Sequence, residues 1–297
     1  MVSHEVDVPV SFADRAVFLP NADALVLADV HLGRGVASNV EAPIDAAEAV
    51  VDRLESLVER FEPREVVVAG DLLHSFSRLP LTVRRTIDAL ESAVDDAGAE
   101  LIVVAGNHDT MLESIADDFA SGLRLTNDSR RTDDQLTDGS PRTDDQLTDG
   151  SPRTDDQLTD GSPRTEYQLA DGETVVCHGH ERPETAARRY LIGHDHPALS
   201  VEGRKLPCFL YGPGVFDCAE LGSSARGIDD ADDAAADVLV LPAFSKLARG
   251  TTVNSQRSRD FQSSLVTDAD AFHPVVRDVQ AGETLWFPPL GDCRRLL

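Results

Sequence analysis

Three short apolar runs, 24–28, 65–69 and 101–105, alternate with segments whose apolar residues recur at helical spacing. That alternation restricts the first part of the chain to βαβ units on a mainly parallel sheet. Segment 45–60 puts Val50, Leu54, Leu57, Val58 and Phe61 on one face and stops before Pro63. Segment 81–97 repeats the design with Val83, Ile87, Leu90 and Val94 and ends at Gly98. Further on, β-like runs at 174–177, 189–193, 207–211, 237–241 and 283–287 follow one another with no long helix between them, which predicts a second sheet.

Between the two parts lies a tandem repeat of 11 residues. RTDDQLTDGSP occupies 131–141, 142–152 and 153–163, and a divergent copy, RTEYQLADGET, follows at 164–174. Each exact copy offers one leucine, carries Gly-Ser-Pro breakers and has net charge −2, so 131–163 is expected to be a disordered insertion in a single domain spanning 1–297. In the fourth copy Tyr167, Leu169 and Ala170 lead through Asp171-Gly172 into Thr174–Cys177, the pattern of a β-hairpin. The fourth copy reads as the structural original and 131–163 as its expansion.

At 297 residues, 41% of them hydrophobic, the chain can bury a sizeable core. No run approaches the roughly 18 apolar residues of a membrane span, and the N-terminus lacks the order of a secretion signal. A soluble cytoplasmic protein without membrane partners is the expectation. Cys177, Cys208, Cys218 and Cys293 show no CxxC spacing and are expected as free thiols.

The net charge of −26 would push a fold apart at ordinary ionic strength. Only Lys205 and Lys246 are lysine, and 36 of the 53 acids are aspartate, a bias that resembles proteins of salt-in halophilic archaea. In molar salt the Debye length falls to about 3 Å, so acidity does not exclude a nucleic-acid substrate. No basic or aromatic stripe in the sequence offers a binding platform for one.

Polar clusters end the strands, where ligands gather in open α/β folds. They are Asp29-Val30-His31, Gly70-Asp71-Leu72-Leu73-His74, Gly106-Asn107-His108-Asp109, Cys177-His178-Gly179-His180 and Gly193-His194-Asp195-His196. Seven of the nine histidines fall in these five clusters. Imidazole, carboxylate and carboxamide oxygen without thiolate suit Mn²⁺, Fe or Zn²⁺ better than Ca²⁺ or copper. His178 and His180 would point the same way along one strand, so either is a possible ligand; His178, which directly ends the apolar run, is preferred. Asp195 is expected to face away from the others as a surface acid.

The order of these clusters resembles the calcineurin-like metallophosphoesterase superfamily across about 29–196. Leu241-Pro242-Ala243-Phe244 and the tail to Leu297 look like its archaeal branch related to the nuclease subunit of double-strand-break repair. The resemblance implies a four-layer α/β/β/α sandwich with two facing mixed β-sheets. It also implies two divalent metal ions, Mn²⁺ foremost. Carried over residue by residue, Asp29, His31 and His196 would hold the first ion, Asn107, His178 and His194 the second, and Asp71 would bridge them. Such a pair activates a bridging hydroxide for attack at phosphorus.

The resemblance makes His108 the candidate general acid and donor to the phosphoryl oxygens. Asp109 either orients it or caps a following helix. Protein phosphatases of the superfamily carry GDxxDRG where this chain has GDLLHSF; His74 in that place resembles the nuclease branch and implies a phosphodiester substrate, DNA or RNA. Arg34 is a candidate phosphate contact or a plain solvated arginine, and His180 a candidate substrate-binding residue beside the ligands. The alternatives are a small-molecule phosphatase or cyclic-nucleotide phosphodiesterase, and, in another class, a metal-binding scaffold without catalysis.

Overall fold

Val66, Val67 and Val68 are buried on both faces of their strand, which fixes that strand inside a sheet with covered faces. The computed structural model describes residues 8–34, 45–74, 79–109, 111–112, 124–125, 165–218, 221, 235–248 and 250–296. The repeat at 131–163 lies outside the described residues. The first sheet runs in the order β1 (Ser11–Phe12), β2 (Ala16–Leu19), β3 (Ala24–Leu27), β4 (Glu65–Ala69), β5 (Glu100–Val104) and β6 (Arg124–Leu125). Strands β3 to β6 are parallel, and β1 and β2 pair antiparallel at the edge.

The second sheet has the order β16 (Glu283–Trp286), β15 (His273–Asp278), β12 (Phe209–Asp217), β13 (Ala235–Val240), β9 (Arg189–Ile192), β8 (Thr174–Cys177) and β7 (Glu166–Gln168). It too is mixed, with β13, β9 and β8 parallel and the flanking pairs antiparallel. A small third sheet joins β11 (Arg204–Pro207), β10 (Pro197–Val201) and β14 (Thr251–Thr252).

Alternation along each strand builds the layers. Val26, Val67 and Ile102 from the first sheet meet Val176, Leu191 and Leu239 from the second in one core. The opposite face of the first sheet, with Leu25, Val66 and Val103, packs on helices α1 (Asp45–Phe61) and α2 (Leu81–Asp96). The predicted stripe of Val50, Leu54, Leu57 and Val58 faces this core, as does that of Val83, Ile87, Leu90 and Val94. Each such side chain, fully buried, contributes about 1.5–3 kcal/mol. The outer face of the second sheet is covered by Leu265, Val266, Phe272 and Leu290, from two short 3-10 turns, the loop between them and the short helix α3 (Leu290–Leu296). This is the four-layer sandwich, with its fourth layer built mostly from turns.

The fourth repeat copy leads into the expected hairpin: β7 pairs antiparallel with β8, and Asp171 Oδ1 accepts the backbone N–H groups of Glu173 and Thr174 across the turn. One strand departs from expectation. The run predicted at 207–211 is split, because Pro207 ends β11, and β12 continues through Gly212-Pro213-Gly214 as far as Asp217. The register shift between Gly212 and Phe216 absorbs these breakers as a bulge.

Candidate metal centre

All five polar clusters meet at the carboxyl ends of β3, β4, β5, β8 and β9. The loops after β3 and β4 run side by side: Asp29 N donates to Gly70 O, His31 N to Asp71 O and Leu32 N to Leu72 O. His194 N donates to Asp29 Oδ2 at 2.9 Å, which ties the second sheet to the first. Asp29, His31, Asp71, His194 and His196 all have positive φ, between 46° and 71°. Non-glycine residues avoid this region at about 1–3 kcal/mol each, so the neighbouring hydrogen bonds over-determine their placement.

Glycines make room for these side chains. A Cβ on Gly106 would overlap Asp71, and one on Gly70, itself at φ +78°, would overlap the His178 ring. The chain therefore approaches these side chains as closely as bare backbone permits.

Two groups of donor atoms converge. In the first, His196 Nε2 lies 3.0 Å from Asp29 Oδ1 and 3.2 Å from His31 Nε2, and Asp71 Oδ2 is 3.8 Å from His31 Nε2. In the second, His178 Nε2 lies 3.0 Å from Asn107 Oδ1, 3.1 Å from His194 Nδ1 and 3.5 Å from Asp71 Oδ2. Asp71 thus reaches both groups. Two ligand atoms about 2.1 Å from a common ion and at right angles to it are about 3.0 Å apart, the spacing seen here.

The donor set fits a cation. His178 Nδ1 stands 3.1 Å from Ala69 O, which needs a proton on that nitrogen. In the neutral ring this leaves the Nε2 lone pair aimed at the lone pairs of Asn107 Oδ1 and Asp71 Oδ2. Asp29 Oδ1 is buried and takes no well-formed hydrogen bond. Among the described residues, Asp29, His31 and His196, and likewise Asp29, Asp71 and His178, offer ligand atoms within 4.8 Å of one another. Convergent lone pairs without donors are what a divalent cation satisfies.

Electrostatics prepares the same groups. Burial, opposed only in part by Asp29 and Asp71, pulls His31 down to about 4, and burial with His178 beside it takes His194 to about 4. Both rings are therefore neutral and able to donate lone pairs near pH 7. Burial works against ionisation of Asp29, but the His196, His178 and His31 rings override it and hold the carboxyl below its usual range. His196 is displaced upward: burial lowers it, and contact with Asp29 outweighs that.

The remaining predicted residues surround this pair of groups. His108 donates its backbone N–H to Asp71 Oδ1 at 3.0 Å, and its Nε2 lies 3.9 Å from Asp71 Oδ2, with the side chain 36% exposed. The His74 ring stands 5.8 Å from those of His31 and His108. Arg34 is close enough to disfavour the protonated forms of His31, His74 and His196. The His180 ring is 5.2 Å from that of His178 and 3.9 Å from Glu181.

Two acids do work the sequence did not reveal. Asp109 accepts the backbone N–H groups of Leu73 at 2.9 Å, Gly106 at 3.0 Å and Leu72 at 3.3 Å, so it staples the loops after β4 and β5. Burial raises it to about 6. Asp195 is no surface acid. It is buried and accepts from Gln262 N at 2.8 Å and Ser263 N at 3.3 Å, anchoring loop 193–196 to the fourth layer. The signal for both was position: a carboxylate beside a ligand, in a turn with more backbone N–H groups than carbonyl partners.

No curated protein matches the chain. The chain is similar in fold to the crystal structure of Pseudomonas putida nuclease MPE, at TM-score 0.50 and 19% sequence identity over 92% of each chain. A model of the family described as calcineurin-like phosphoesterase matches residues 23–198, more than half of the sequence and the stretch that carries all five polar clusters. The chain belongs to the calcineurin-like phosphoesterase family and is a metal-dependent phosphoester hydrolase.

Proposed function

We propose that the protein is a phosphodiesterase acting on nucleic acid with two divalent ions, Mn²⁺ foremost. Asp29, His31 and His196 would hold one, Asn107, His178 and His194 the other, and Asp71 both. The observation that carries this is the reach of Asp71 into both groups of convergent donors. Bound divalent ions would supply an acidified water and positive charge for the phosphoryl oxygens.

The chain's own residues do the rest. His108 stands beside Asp71 with a partly exposed ring and is the group to donate a proton to the leaving oxygen. His74, whose protonation is disfavoured by burial and then by Arg34 and His108, presents a neutral imidazole next to it. Arg34 orients a non-bridging phosphoryl oxygen, and His180 contacts the substrate on the far side of His178. A histidine at position 74, where phosphoprotein phosphatases of the family hold an acid, favours a diester with one negative charge over a monoester with two. The nuclease named for the similar fold is consistent with this substrate class.

The test is hydrolysis of bis-p-nitrophenyl phosphate beside p-nitrophenyl phosphate, with Mn²⁺ in molar salt. Diester turnover that falls at least about 10²-fold in His108→Ala supports the reading. Turnover of the monoester alone assigns the site to a small-molecule phosphatase, and metal uptake with neither activity makes the protein a scaffold.

A further inference from the structure

The two lysines of this chain, Lys205 and Lys246, lie in different strands and loops, among 53 acidic residues. The fold brings both to one pocket of about 400 Å³, together with Arg15 and His196. Among the described residues, no carboxylate lines it. In a chain of net charge −26, a pocket whose charged groups among the described residues are all basic stands apart from the rest of the composition.

Each cation arrives by a separate device. Lys205 lies on β11, the edge strand of the small sheet, and donates to Gly250 O. Lys246 follows segment 241–245, which crosses from the second sheet to the first: Leu241 N donates to Ile192 O and Phe244 N to Ala28 O. Arg15 sits at φ +61° in the turn between β1 and β2 and donates from Nη1 to Ala243 O and Ser245 O. Burial and the nearby Arg53 lower Arg15 only to about 10, so it stays charged at neutral pH. Pro197, Pro207 and Ala248 give the pocket an apolar wall.

We propose that this pocket binds the nucleotide adjoining the scissile phosphodiester, its phosphate held by Lys205, Lys246 and Arg15 and its sugar and base against the apolar wall. The substrate is then a polynucleotide strand with at least one phosphate beyond the one cleaved. His196 belongs to both the pocket and the first donor group, so the two sites are contiguous. Cations with an apolar wall suit a nucleotide better than free phosphate, which would leave the wall unused. The inference rests on the phosphodiesterase reading and extends it.

Both lysines are exposed, so replacing them leaves the core intact. The first readout is kcat/KM for the thymidine dinucleotide carrying a terminal phosphate, relative to the same dinucleotide without it, with Mn²⁺. The full chain should prefer the phosphorylated form about 10-fold, Lys205→Gln/Lys246→Gln should bring the ratio near 1, and Lys205→Arg/Lys246→Arg should keep it.

The second readout is binding of a fluorescent oligothymidylate by anisotropy in EDTA across a salt series. The glutamine pair should bind more weakly, with a slope of log K against log salt shallower by up to about 0.7, since the pocket holds one phosphate and each single-strand phosphate contact contributes about 0.7. A preference ratio unmoved by the glutamine pair, or equal strand binding by both proteins, overturns the pocket assignment. If no diester is cleaved, the phosphodiesterase reading fails, and the binding series alone then decides the pocket. Displacement of the strand by polyglutamate at equal charge would assign the pocket to acidic polypeptides and overturn it as well.

Discussion

His194 hands its backbone N–H to Asp29 Oδ2 at 2.9 Å, so one carboxylate both joins the ends of the two sheets and turns its other oxygen toward His196 and His31. The fold and the candidate metal centre are therefore closed by the same group. Changes that disturb the backbone around Asp29 and Asp71 should reach the chemistry before they reach the core.

Gly106→Ala is the sharpest such change. The added methyl would overlap Asp71 Oδ1 and the Asp71 backbone nitrogen, neither of which is the free end of a flexible chain. We expect bound metal and diester hydrolysis to fall at least about 10-fold, the usual scale for displacing a ligand's support. Metal analysis of the purified variant beside its circular-dichroism spectrum would check this; full metal content and activity would show that the close approach is not needed.

Asp109→Ala should act mainly on stability. It removes the acceptor for three backbone N–H groups, and an orphaned buried donor costs about 1–3 kcal/mol. Urea unfolding should shift by about 3 kcal/mol, less than the full sum because the loops can relax toward water. Asp109→Asn keeps an acceptor oxygen and should recover much of that. An unchanged midpoint in Asp109→Ala would contradict the staple.

All four cysteines are free and buried, and burial pushes the Cys177 thiol up to about 12 and that of Cys208 upward too. Thiolate is the reactive form, so native protein at pH 8 should not react with a disulfide reagent within the mixing time. Four thiols should titrate once the chain is unfolded. Rapid labelling of native protein would mean that a layer opens easily.

Deleting 131–163 should leave melting temperature and activity within error of the full chain. The β7–β8 hairpin is built by the fourth copy and the run that follows it to Cys177, without residues of 131–163, and its turn is held by Asp171. Loss of folding in the deletion variant would show that the exact copies carry structure.

The first sheet and its helices were legible because their patterns are local. Val66–Val68 form one continuous apolar run and the stripe from Val50 to Val58 follows one helical period, and each is buried as its pattern dictates. The hairpin β10–β11 was not legible, since Ala198-Leu199-Ser200-Val201 has no distinctive alternation and its partner strand is charged and half exposed. The order of the clusters pointed to the side chains that converge, but not to the glycines that admit them or to the braces Asp109 and Asp195. Those depend on which backbone amides lie nearby, and that is settled only when β4 meets β5 and the fourth layer closes. The basic pocket was hidden for the same reason. Arg15, Lys205 and Lys246 form no stripe in sequence and become neighbours only through segment 241–245.

The central claim is that Asp71 joins two groups of donors into one centre for phosphodiester hydrolysis. Its most direct test is the number of Mn²⁺ ions retained per chain after EDTA treatment, reloading and gel filtration, measured with bis-p-nitrophenyl phosphate turnover on the same samples. The account predicts two ions and restored turnover in the native sequence, with Asp71→Asn losing at least one ion and about 10²-fold or more in rate. Turnover that survives EDTA, or Asp71→Asn retaining both ions and full rate, would contradict it.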